Sequence, residues 1–226
     1  MAWDMGRAVD GSDSVARVVA PRSHWPEMRA LILVVSADKK GVSSTTGMQA
    51  TVKTSALFKA RTETVVPQAM QGMEKAIRER DFESFGRLTM RDSNSFHATC
   101  LDTDPPIFYL NDVSRAAIRA VEQLNAKMGR IVAAYTFDAG PNAVVYHLER
   151  DQNAVVGTFK AFLGDKDGWT GERGEKIKVA EEVGIEEKVV KALQDGVSRV
   201  ILTGIGEGPV SVNDHLINEK GEPIKS

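Results

Sequence analysis

Ala134-Tyr-Thr-Phe-Asp-Ala-Gly-Pro-Asn-Ala143 carries a strand-forming run straight into a Gly-Pro turn, with a single carboxylate, Asp138, at the joint. Ile131, Val132, Ala133, Tyr135 and Phe137 precede that carboxylate, and Val144, Val145 and Tyr146 follow the turn. Two apolar β-like runs joined by so short a turn pair antiparallel, because a parallel return needs a crossover of a dozen residues or more. Asp138 therefore stands at the end of a sheet strand, where an Asp either stabilises a turn through its own backbone or serves as a base. Local sequence leaves both open, although Asn142 adds a neutral hydrogen-bond donor nearby.

Outward from this point the chain reads as a mixed α+β protein with a mostly antiparallel sheet. The first forty residues predict strands over Trp3–Val9, Ser14–Ala20 and Arg29–Ser36, with a Gly-Ser-Asp turn too short for a helical crossover. From Gly47 to about Ala126 the period becomes helical: Val65, Ala69, Met73, Ala76 and Ile77 form one stripe, and Ile118, Val121, Leu124 and Met128 another. Asp81 is the expected N-cap of a helix over Phe82–Met90, and Asp112 or Ser114 that of a helix closed by Gly129. Pro105-Pro106 separates the two. Beyond the strands around Asp138, a helix is expected over Asn153–Phe162, a solvated Gly-rich loop over Asp165–Gly174, a helix over Glu181–Leu193, a strand over Arg199–Thr203 and a polar tail from Asn213.

With 226 residues, 42% of them hydrophobic, the chain can bury a sizeable core. Its 29 Lys and Arg against 31 Asp and Glu give a net charge of -2 and no basic block, which argues against a nucleic-acid partner. The longest apolar run, Ala30–Val35, falls far short of the roughly 20 residues that cross a bilayer, and the N-terminus lacks the layout of a signal peptide, so a cytoplasmic protein is expected. One cysteine and four scattered histidines suggest neither a disulfide framework nor a metal site.

Three further segments invite a chemical reading. Lys39-Lys-Gly-Val-Ser-Ser-Thr-Thr-Gly-Met48 leads from a buried strand into a helix, where backbone N–H groups collect anions, yet local sequence favours an ordinary Ser/Thr cap with two solvated lysines. Asp92-Ser-Asn-Ser-Phe-His-Ala-Thr-Cys100 sets His97 three residues before Cys100. A reactive thiolate needs an electropositive, partly exposed setting, so Cys100 is expected in the core and His97 as a hydrogen-bonded packing residue. Gly204-Ile-Gly-Glu-Gly-Pro209 lacks the helix that must follow a dinucleotide fingerprint and reads as a turn.

Four motifs in order, Val42-Ser-Ser-Thr-Thr-Gly-Met-Gln49, Asp92–Leu101, Pro105-Pro-Ile-Phe-Tyr109 and Ala134–Val144, closely resemble the diphosphomevalonate decarboxylase family, in its fungal and animal wording, from Trp3 to about Leu216. That family belongs to the GHMP kinase superfamily. The resemblance implies a ferredoxin-like C-terminal domain over residues 31–212, an antiparallel sheet with helices packed on one face, preceded by remnant strands in 1–30 and followed by the tail 213–226. It also implies ATP-dependent decarboxylation of 5-diphosphomevalonate to isopentenyl diphosphate with Mg²⁺, in a homodimer. By similarity Asp138 matches the family's catalytic Asp, and Ser44 and Thr45 match its substrate-contacting segment, which overrides the ordinary-cap reading.

The match is incomplete. The family's Gly-Ser-Gly-Ser-Ala-Cys-Arg stretch and its Ser-rich ATP loop are not in this sequence, so the resemblance implies a C-terminal half, inactive alone and without cofactor-binding or metal-binding residues of its own. The competing expectation is a non-catalytic substrate-binding or dimerisation module derived from the enzyme. Another GHMP kinase, such as phosphomevalonate kinase, is disfavoured, because those carry a Gly-rich run where this chain has Phe137-Asp-Ala-Gly-Pro-Asn142.

Overall fold

A computed structural model describes residues 1–35, 42–208, 211–213, 215–218 and 220–224. Its centre is a four-stranded sheet of β3 (Met28–Val35), β4 (Ala133–Thr136), β5 (Ala143–Leu148) and β6 (Val197–Gly204) in the order β4-β5-β3-β6, every neighbouring pair antiparallel. Taken in chain order, the four strands with their helical connections make a β-α-β-β-α-β unit, the ferredoxin-like arrangement. Strand alternation splits the sheet into two faces. Leu31, Leu33, Ala143, Val145 and Val200 point into the main core, whereas Met28, Tyr146 and Leu148 belong to a second cluster with Trp25 and Phe82.

The main core is closed by α5 (Asp112–Met128), α6 (Gln152–Leu163) and α8 (Glu187–Gly196), through Ala117, Ala120, Val121 and Leu124, then Val155, Val156 and Phe159, then Val189 and Leu193. The other helices precede α5: α1 (Ser44–Thr54), α2 (Ala56–Ala60) and α3 (Val66–Glu79), with a π-helical turn at Arg61–Val65 between the last two, and α4 (Phe82–Leu101). α4 lies along the sheet edge formed by β4. Gly86 there abuts Ile131 and Ala134 so closely that no side chain would fit. At its N-terminal end, Phe82 and Phe85 turn onto the second face and meet Trp25 and Tyr146 edge-on. The same face holds a groove of about 570 Å³ lined by Trp25, Ala30, Ile32, Val144 and Tyr146. No helix among the described residues is long and apolar enough to cross a membrane.

Several expectations shift. The first two strands shrink to β1 (Ala2–Trp3) and β2 (Ala16–Arg17), because Gly6 and Gly11 adopt positive φ and the Asp10 and Asp13 carboxylates bond backbone N–H groups between them. Asp81 caps α4 as expected, its carboxylate accepting from the Ser84 N–H, but the helix runs on to Leu101 and absorbs the whole Asp92–Cys100 segment. α5 is capped by Asn111 rather than Asp112 or Ser114. The N–H of Ser114 donates to the Asn111 side chain, and the Ser114 hydroxyl, which also serves the capping box, donates to the Pro141 carbonyl. α8 starts six residues later than expected, since Gly184 is left-handed and Val183 and Ile185 pack on the core.

The loop over 165–174 is not simply solvated. Trp169 is 7% exposed and its indole N–H donates to the Leu163 carbonyl at 2.6 Å. Short α7 (Glu172–Glu175) follows, and Gly174 meets the backbone of Trp169 where a side chain would not fit.

Candidate functional site

Asp138 lies two residues past the end of β4, exposed to solvent. Strand alternation buries Tyr135 and Phe137 on either side of Thr136, and the next position, Asp138, emerges where the chain turns. Its carbonyl accepts the Gly140 N–H at 2.8 Å, so the backbone closes the turn and the carboxylate has no part in that bond. The turn-forming role and a chemical role are thus not competitors at this position. The side-chain oxygen of Asn142 accepts the N–H of Val35 at 2.9 Å. This bond takes over where the β3–β5 ladder stops at Leu33–Ala143, and it ties the Asp138 turn to the end of β3.

α4 grips the same strand from the other side. The Ser93 hydroxyl accepts the Phe137 N–H at 3.2 Å, and the Asn94 side chain exchanges hydrogen bonds with the Tyr135 hydroxyl at 3.0 and 3.2 Å. One turn further along, the His97 ring sits among Phe96, Tyr109 and Phe137, with centroids 4.9, 6.5 and 6.2 Å away. Burial pulls the His97 pKa down, opposed by the Phe137 backbone and by the charge of Asp138. His97 is the expected packing residue, but not a fully hydrogen-bonded one: its buried Nε2 has no partner among the described residues.

Ser44 and Thr45 occupy the first turn of α1, both exposed. The cap is Ser43, whose hydroxyl accepts the Thr46 N–H at 3.1 Å and donates to the Thr46 hydroxyl. That leaves the side chains of Ser44 and Thr45 clear of the capping bonds at a helix N-terminus, where N–H groups and the helix dipole favour an anion. Lys39 and Lys40 lie outside the described residues. α1 and the Asp138 turn rest on one wall: Gly47 packs against Tyr109 and Ile107, the Tyr109 hydroxyl donates to the Ser43 carbonyl at 3.3 Å, and Ala139 packs on the Cys100–Ile107–Tyr109 cluster. Tyr109 and Ser93 were not singled out in the sequence as parts of this region, because their partners stand 66 and 44 residues away.

Cys100 is buried, and burial pushes its thiol pKa up, as a core residue requires and a nucleophile does not. Residues 205–208, after β6, carry no helix, so the glycines there do not form a dinucleotide-binding turn; Pro209 lies outside the described residues. No group of three or more His, Cys, Asp or Glu side chains among the described residues is placed to hold a metal ion.

The profile of the mevalonate 5-diphosphate decarboxylase C-terminal domain matches residues 30–212. A diphosphomevalonate decarboxylase of Aspergillus fumigatus is 57% identical over 232 residues, a match that covers 100% of this chain and 57% of the relative. A crystal structure of mevalonate 5-diphosphate decarboxylase superposes with a TM-score of 0.84 at 46% identity, covering 97% of this chain and 58% of that one. A more distant structure, MDDEF in complex with MVAPP, gives a TM-score of 0.63 at 28% identity over 70% of this chain and 48% of its own. The chain thus spans a little over half the length of the curated relatives it matches.

Proposed function

The chain belongs to the mevalonate 5-diphosphate decarboxylase family, and from that premise we propose that it is the C-terminal portion of an enzyme that converts 5-diphosphomevalonate and ATP into isopentenyl diphosphate, CO₂, ADP and phosphate. The observation that carries the proposal is the exposed carboxylate of Asp138, fixed on both sides of its backbone and sharing a wall with the helix that bears the exposed Ser44 and Thr45. Asp138 takes the proton of the substrate's tertiary hydroxyl, or orients that hydroxyl toward the γ-phosphate of ATP. Once the hydroxyl is phosphorylated, phosphate departs and the electrons of the C–CO₂⁻ bond form the new alkene as CO₂ leaves. A carboxylate beside the carbon stabilises the positive charge that builds up in between.

The first turn of α1 fits a substrate bearing phosphate or carboxylate oxygens, with Ser44 and Thr45 as neutral donors. For Mg²⁺ the described residues provide no comparable set. Mg²⁺ would neutralise charge on the transferring phosphates, and its ligands and those of ATP are assigned to sequence outside this chain. We accordingly assign this chain the base and one wall of the substrate site, and expect no turnover from it alone.

The test joins this chain to the part of the Aspergillus fumigatus relative that lies outside the match and measures ATP-dependent CO₂ release from 5-diphosphomevalonate. The fusion is expected to turn over, and Asp138→Asn to reduce kcat by about 10³-fold. CO₂ release by the 226-residue chain alone would refute the division of labour. Calorimetric binding of 5-diphosphomevalonate to the chain, with an inactive fusion, would instead support a non-catalytic binding or dimerisation module.

A further inference from the structure

We propose that Ser93, on α4, is a positioning residue that holds the Asp138 carboxylate in its working orientation by gripping the backbone N–H of the residue before it. The inference rests on the reading of Asp138 as the base. β4 is an edge strand, so the outward N–H of Phe137 has no strand to pair with; the buried Ser93 hydroxyl supplies the partner at 3.2 Å. Next to it on α4, the Asn94 side chain exchanges hydrogen bonds with the Tyr135 hydroxyl at 3.0 and 3.2 Å. Downstream, the Gly140 N–H closes the turn on the Asp138 carbonyl. The base is therefore held from both sides.

His97, one turn further along α4, packs its ring against that of Phe137 with centroids 6.2 Å apart, which leaves the Phe137 N–H to Ser93. Misplacing a reacting group by about 1 Å can cost on the order of 100-fold in rate, so a grip of this kind bears directly on kcat.

The experiment is NMR on the full 226-residue chain, comparing the wild type with Ser93→Ala. In Ser93→Ala the Phe137 amide is expected to exchange about tenfold faster, the protection one ordinary hydrogen bond provides, while α5 and α6 amides keep their rates. An unchanged Phe137 amide in Ser93→Ala would overturn the proposal. In the fusion enzyme Ser93→Ala is expected to lower kcat roughly tenfold at unchanged KM. Loss of turnover in Asp138→Asn with normal kcat in Ser93→Ala would defeat the positioning role alone, whereas full turnover in Asp138→Asn would defeat the assignment of the base.

Discussion

His147 makes the stability of this protein depend on pH in a way that can be measured without knowing its substrate. The residue sits on β5 between Ala133 of β4 and Arg29 of β3, and is 1% exposed. Its Nδ1–H donates to the Leu148 carbonyl at 3.2 Å. Burial, reinforced by the Arg29 charge and only partly offset by the Leu148 carbonyl and Asp151, lowers its pKa to about 4. In the unfolded chain the imidazole regains its ordinary value of about 6.5. Between these two values the unfolded state binds a proton that the folded state refuses, so stability rises with pH through that window. The contribution is complete above about pH 6.5 and is lost as pH falls toward 4.

A displacement from 6.5 to about 4 corresponds to about 3.4 kcal/mol at the low-pH limit, at about 1.4 kcal/mol per unit. By pH 5.0 about 2 kcal/mol of that is already gone, a large part of the roughly 5–15 kcal/mol that holds a domain folded. The perturbation is His147→Leu, which keeps an apolar side chain of similar bulk and removes the titration. Urea unfolding followed by tryptophan fluorescence at pH 7.5, 6.0 and 5.0 gives both curves. The wild type is expected to lose about 2 kcal/mol more than the variant between pH 7.5 and 5.0. His97 and the carboxylates titrate in both proteins and cancel in the difference. Parallel curves would show that the folded protein admits the proton, and the burial argument for His147 would fail.

Gly168→Ala should destabilise by at least about 2 kcal/mol in the same urea assay, because φ is +104° and an added side chain would meet the Val200 carbonyl; a change within about 0.5 kcal/mol would contradict the packing of this loop. Arg130→Gln should cost about 1–2 kcal/mol, less than a fully buried pair because Arg130 is 45% exposed while its partner Asp151 is buried, and restoring stability with Asp151→Asn would confirm the stranded carboxylate. Cys100 should react with a thiol reagent at pH 7.5 at least about 100-fold more slowly in the folded protein than in urea; equal rates would place it at the surface.

Much of the fold was legible because local pattern and tertiary packing agree. Apolar runs mark β3, β4 and β5, and the 3.6-residue stripe of α5 buries Val121 and Leu124 and half-buries Ile118, although Met128 at its end is exposed. The misreadings fall where a distant partner decides. Asp112 and Ser114 read as caps locally, and the Ser114–Pro141 bond, 27 residues apart in sequence, fits Ser114 into the helix, while Asn111 takes the cap. Trp169 lay in a stretch too rich in glycine and charge to suggest burial, yet the Leu163 carbonyl at the end of α6 gives its N–H a partner inside.

The Asp92–Cys100 segment shows how such a limit bears on function. Within the segment itself the burial of Cys100 was legible, because a reactive thiolate needs an exposed, electropositive setting, but the partners of Ser93 and Asn94 were not. The fold sets the segment against an edge strand, and edge strands present backbone groups that must find partners outside the sheet. Ser93 and Asn94 answer the strand at Phe137 and Tyr135. The proposed base, Asp138, stands beyond the end of an edge strand without the support of a neighbouring strand on that side, and a helix carrying polar groups replaces that support. The segment therefore bears on Asp138 through the strand that carries it, which is why its side chains matter although none of them need touch a substrate.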